Sequence, residues 1–96
     1  MYVMRVEWQV KQGRMQEALA AVKKIGLTVP RFPRRFYVSH LGQFGRLTYD
    51  MELESLDEWR KINEEFSARP EGAEFWKMWN ELVVGGNVQA WSPVDL

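Results

Sequence analysis

The first ten residues alternate with a period of two. Tyr2, Met4, Val6, Trp8 and Val10 are apolar, while Arg5, Glu7 and Gln9 are polar. Such a run is a strand with one dry face and one polar face, so whatever follows must cover the dry side. The next stretch has a different period. Between Arg14 and Ile25 the apolar positions are Met15, Ala18, Leu19, Val22 and Ile25, the spacing of a helix with one buried stripe, and Gly26 is its predicted stop. Pro30 and Pro33 make Leu27 to Pro33 a connection. Arg34 to Leu41 and Arg46 to Glu54 read as two strands around Gly42-Gln43-Phe44-Gly45, a hairpin signal.

Ser55-Leu56-Asp57-Glu58 reads as a capping box opening a helix, on which Leu56, Trp59, Ile62 and Phe66 share a face. Pro70 interrupts, and a further helix is predicted over about 72–84, with Phe75, Trp76, Trp79, Leu82 and Val83 apolar and Gly85-Gly86 as its end. Val88, Ala90, Ser92 and Val94 predict a last strand, edged by Pro93. The order βαββαβ predicts an α+β, ferredoxin-like fold, a four-stranded antiparallel sheet with helices on one face. At 96 residues the whole chain, 1–96, makes one such domain, since two cores would need more chain.

Composition narrows the function classes. Thirteen basic residues balance thirteen acidic ones, so global charge steers the chain neither to nucleic acid nor to an anionic membrane. With no Cys, disulfides, thiolate metal sites and Cys nucleophiles are excluded. No apolar run approaches the roughly 18 residues of a membrane span, and with strand periodicity from the first residues no signal peptide is expected. The expected setting is the cytoplasm. Five Trp, five Phe and three Tyr let a small core be deep.

Parity sorts the side chains by face. Leu47, Tyr49, Met51 and Leu53 match the apolar set of the first strand, and a turn centred between Gln43 and Phe44 sets His40 opposite Leu47, beside Phe36 and Val38. The other face collects Arg5, Glu7, Gln9, Tyr37, Ser39, Arg46, Thr48, Asp50, Glu52, Gln89 and Trp91. Aromatic rings among those charges favour packing on a second copy of the chain over a wet face.

The chemistry on offer is sparse. His40 is the single imidazole and the best acid–base candidate, with Tyr49 as its neighbour; a hydrogen-bonded core His is the bland alternative. Ser39 and His40 are consecutive in a predicted strand and point to opposite faces, so they form no catalytic pair. One His and no Cys leave only carboxylates as metal ligands, and no metal site is expected. Trp8, Trp76 and Trp79 would line an aromatic pocket or simply fill a core, and Asn80, four residues after Trp76, would orient a ligand oxygen. The stretch from Pro30 to Tyr37 interleaves Arg with aromatics; a single-stranded nucleic acid would use such a pattern, but the neutral chain makes a guarded edge loop the better reading.

The run Tyr49-Asp50-Met51-Glu52-Leu53-Glu54-Ser55-Leu56-Asp57-Glu58-Trp59, with Ala68-Arg69-Pro70-Glu71 and Phe75-Trp76, resembles the dimeric α/β-barrel superfamily, in particular its NIPSNAP-like and antibiotic-biosynthesis monooxygenase-like groups. The resemblance implies a homodimer closed into a barrel and a pocket between sheet and helices. It implies either cofactor-independent, monooxygenase-like chemistry on a flat, mostly apolar small molecule or a non-catalytic, partner-binding module. Haem-degrading relatives use an Asn on the first strand and a Trp and a His on the second helix. Here the first strand offers Glu7 or Gln9, and the helix offers Trp76 and Trp79 without a His. No cofactor is therefore expected.

Overall fold

The computed structural model describes residues 1–96. Strand β1 (Tyr2–Val10) leads into helix α1 (Met15–Gly26), followed by β2 (Tyr37–Val38), β3 (Arg46–Leu53), α2 (Leu56–Ala68), α3 (Pro70–Leu82) and β4 (Val83–Trp91). The strands form one antiparallel sheet in the order β2-β3-β1-β4. This is the ferredoxin-like α+β fold, with the second helix divided at Pro70.

Register follows parity. Tyr2, Met4, Val6 and Trp8 of β1 stand opposite Leu53, Met51, Tyr49 and Leu47 of β3, all on the helix side. The core gathers Val10, Leu47 and Val83 from the strands with Ala18, Val22 and Ile25 of α1, Phe66 of α2, and Phe75, Trp79 and Leu82 of α3. No charged or polar side chain is buried. Burying a large apolar side chain contributes roughly 1.5–3 kcal/mol, so this layer supplies most of the fold's stability.

The helix starts are local. Ser55 accepts a hydrogen bond from the Glu58 N–H at 3.2 Å, and Glu58 reaches back to the Glu54 N–H at 3.1 Å, one residue earlier than a standard capping box. Pro70 is the first residue of α3, where its missing N–H costs nothing. Gly72 permits the tight turn between α2 and α3. A Cβ there would stand 1.8 Å from the Phe66 carbonyl oxygen.

Three expectations are corrected. The strand predicted over Arg34–Leu41 shrinks to Tyr37–Val38. Val38, not His40, stands opposite Leu47, because Ser39 and Arg46 close a longer loop in which Gly42 and Gly45 take the left-handed conformation. Two residues that a tight turn would have paired are spent in that loop, which keeps Phe36 and Val38 on the right face but carries His40 off the sheet. Finally, Gly85-Gly86 does not end the last helix. The chain turns extended at Val83, and both glycines lie within β4, which stops at Trp91, short of Ser92 and Val94. Val83 and Val84 are β-branched and favour strand. Gly86 has a packing role, since a Cβ there would meet the Glu7 carbonyl oxygen at 2.5 Å and the Trp8 ring at 2.7 Å.

Candidate functional site

Trp8 lies on β1 directly over Gly86, and only a residue without a side chain leaves room for it. From there the indole reaches α3. Its ring centroid is 5.9 Å from that of Trp76 and 5.9 Å from that of Trp79, the latter edge-on. Trp79 stacks on Phe75 at 5.1 Å and is 1% exposed. Phe66 of α2 meets both Phe75 and Trp76 edge-on. On the other side Phe36 contacts Tyr49 at 5.2 Å and Phe32 at 6.0 Å, and Phe32 returns to Phe66 at 6.2 Å. These rings surround a cavity of about 120 Å³ between the sheet and the helices. Apolar cavities of about 150 Å³ admit a benzene-sized molecule, so this one has room for about one ring.

Its polar equipment is slight. Burial pushes the Tyr49 hydroxyl up to about 12, so it stays protonated at neutral pH and serves as a hydrogen-bond donor, not a base. Asn63 spends its amide N–H₂ on the Trp59 carbonyl at 3.0 Å, and the Trp76 indole N–H donates to Ser67 Oγ at 3.1 Å. The indole N–H groups of Trp59 and Trp79 are buried without a partner. Each such donor costs about 1–3 kcal/mol. Glu65 is the single carboxylate in the lining, and its side chain belongs to an exposed residue.

Of the residues singled out from sequence, Trp8, Tyr49, Trp76 and Trp79 line this cavity together. His40 does not. It is exposed in the loop between β2 and β3, for the register reason given above. Asn80 is also exposed and outside the lining. The buried stripe of α3 runs through Phe75, Trp79 and Leu82, which puts Trp76 and Asn80 on its flank. A long indole reaches back over that edge, whereas a short Asn side chain does not.

Sequence reading missed Phe32, Trp59 and Phe66 as wall residues and Pro30, Arg31 and Pro33 as a border. A signal was present. In the stretch from Pro30 to Tyr37 the aromatics Phe32 and Phe36 turn inward while Arg34 and Arg35 stay exposed. The interleaving is thus an inside–outside alternation, and those rings are not a surface on which bases would stack.

The open face of the sheet carries two cross-strand ion pairs. Arg5 Nε lies 2.8 Å from Asp50, and Arg46 Nη1 lies 3.1 Å from Glu7. The hydrogen bond from Arg5 holds the Asp50 carboxyl below the usual carboxylate range, against a smaller opposing effect of burial. Tyr37 and Trp91 are exposed on the same side. No helix is long and apolar enough to cross a membrane.

No protein-family model and no curated protein matches the sequence. Solved structures do match. A NIPSNAP family protein of Agrobacterium tumefaciens superposes with a TM-score of 0.87 at 18% identity, covering 98% of this chain and 86% of its own. A NIPSNAP domain protein of Burkholderia xenovorans gives 0.85 at 14%, over 98% and 95%. An antibiotic biosynthesis monooxygenase gives 0.66 at 11%, over 99% and 100%. The resemblance read from the run Tyr49 to Trp59 therefore holds in three dimensions: this chain has the ferredoxin-like fold found in NIPSNAP proteins and in antibiotic-biosynthesis monooxygenases.

Proposed function

We propose that this chain is a small-molecule-binding protein whose cavity takes a flat, mostly apolar molecule of about one ring, and that it works as a homodimer closed through the open face of its sheet. The observation that carries this is the aromatic-walled cavity with few sheltered donors, the Tyr49 hydroxyl and the unpartnered indole N–H groups of Trp59 and Trp79. Apolar walls with few polar groups are what a ring-sized ligand needs, and Tyr49 would hold an acceptor oxygen on it. The dimer draws support from the open face, where Arg5 and Asp50, and Arg46 and Glu7, are already paired within the sheet and so do not repel a second copy.

Cofactor-independent, monooxygenase-like chemistry is the catalytic form of this reading. With His40 outside the cavity and Tyr49 protonated, it would need a substrate acidic enough to lose its proton without a buried base. The same two facts favour a second reading, a non-catalytic dimeric module of this fold.

Saturation-transfer NMR with acetophenone and toluene tests the binding claim. Both should receive magnetisation from the protein. Tyr49→Phe should weaken acetophenone about 2- to 10-fold, the worth of one hydrogen bond, and leave toluene unchanged. Absence of transfer to either probe at millimolar concentration would leave the cavity as a packing defect and the second reading in its place.

A further inference from the structure

The cavity is lined by strands, by helices and by one irregular segment, Val29 to Phe36, which contributes Pro30, Arg31, Phe32, Pro33 and Phe36 to the lining. Val29 is tied to the end of α1 through the Ile25 carbonyl, and β2 pairing begins at Tyr37. Between them, residues 30–36 make none of the backbone hydrogen bonds that lie outside the helices and strands. A single polar tether holds this stretch. Arg31 Nη2 donates to Glu58 Oε1 at 2.6 Å. Arg31 also has a φ of 62°, the left-handed region that a residue with a Cβ enters only at a cost.

Glu58 is well placed to hold the tether. Its other oxygen accepts from the Glu54 N–H at the start of α2, so the carboxylate is anchored to its own helix before it meets Arg31. The remaining contacts of the segment are apolar. Phe32 packs on Phe66 and lies over Gly26, where an added Cβ would come within 3.2 Å of its ring.

We propose that Val29–Phe36 is a strap that opens and closes the cavity, latched by the Arg31–Glu58 pair. This rests on the cavity being a binding site. Opening anywhere else would break strand ladders or part the packed rings of α2 and α3. Opening here breaks one ion pair, whose Arg31 side chain is 60% exposed, and lifts two rings from their seats, Phe32 from Phe66 and Phe36 from Tyr49. An exposed pair is a weak bond, as a reversible latch requires. The left-handed Arg31 works against it, because release lets that residue relax to an ordinary conformation. The closed strap is thus a balance between pairing and backbone strain.

Acrylamide quenching of the cavity tryptophans tests the strap without any ligand. The background is Trp91→Phe, which removes an exposed indole on the opposite face of the sheet. Glu58→Gln keeps an oxygen for the Glu54 N–H and removes the charge. It should raise the quenching constant about two- to fivefold, the range set by an exposed pair, with the denaturation midpoint unchanged. Asp57→Asn, which removes an equal charge from the same helix start but pairs with Arg60 and Lys61 instead of Arg31, should not raise it. Equal quenching in Glu58→Gln and its parent, or an equal rise in Asp57→Asn, overturns the strap. A rise confined to Glu58→Gln, together with failure of acetophenone and toluene to bind, supports the strap and rejects the ligand reading. Where the probes bind, the dissociation rate of acetophenone should rise in the same variant by a similar factor.

Discussion

The two faces of the sheet are built from the same strands by opposite rules. On the helix side Met4, Val6, Leu47 and Leu53 are buried and no charge is sheltered. On the open side the alternate residues are Arg5, Glu7, Arg46 and Asp50, joined in two cross-strand pairs. A one-residue shift in register would exchange the two sets, so the inner face sets the register and the outer face inherits its pairs from it. Stability therefore resides in the inner layer, where apolar area leaves water, whereas such half-buried surface pairs contribute about 0–1 kcal/mol each. The role of the outer layer in the proposed dimer would be complementarity towards the second copy.

The sharpest contrast comes from truncating one residue of the inner layer. Trp79→Ala should cost about 3–5 kcal/mol, because it deletes a side chain 1% exposed and merges its volume with the existing cavity. Urea melts would show it, and a loss under 1 kcal/mol would mean that the indole is not part of the packed core. On the outer layer the largest effect expected is on assembly. Tyr37→Ala combined with Trp91→Ala should leave the melt of the subunit nearly unchanged but weaken the proposed dimer about tenfold or more by sedimentation equilibrium. A parent chain that sediments as a monomer at micromolar concentration would remove the dimer and leave a solvated face.

Between these lies the cover of the inner face. Ser55→Ala should cost about 0.5–2 kcal/mol by freeing the Glu58 N–H at the start of α2; an unchanged denaturation midpoint would show that Ser55 does not cap. The smallest effect belongs to the outer ion pair and has a definite sign. Arg5 lowers the Asp50 carboxyl in the folded state, so the contribution is complete above the unfolded value near pH ~3.9 and is lost as pH falls through the lower folded value. Asp50→Asn should therefore cost about 0.2–1 kcal/mol at pH 7 and nearly nothing at pH 2. A cost that persists at pH 2 would assign Asp50 a role other than pairing with Arg5.

Sites were less legible than faces. Period and parity place Trp8, Tyr49, Trp76 and Trp79 on the cavity side because each lies inside a regular element. His40 was misplaced because the loop closed by Ser39 and Arg46 is longer than a two-residue turn, and no periodicity reports loop length. Asn80 was misplaced because four-residue spacing shows that it shares a side of α3 with Trp76, but not whether that side is the centre of the buried stripe or its flank. Phe32 and Arg31 lie in an irregular stretch, where sequence carries no period at all.

What the sequence determined by itself is whatever repeats or is settled within a few residues. That covers the pleat of β1 and β3, the stripes of α1 and α2, the Ser55 cap and the break at Pro70, since each follows from local geometry and from water avoiding apolar surface. The tertiary structure decided what depends on two distant segments meeting. Gly86 is a strand residue because Trp8 lies on it, and Gly72 is required because α2 and α3 approach closely there. The cavity belongs to the same class. It is space left where rings from β1, β3, α2, α3 and the strap fail to fill the gap between sheet and helices, and unfilled volume is a property of the assembled packing that no single segment encodes.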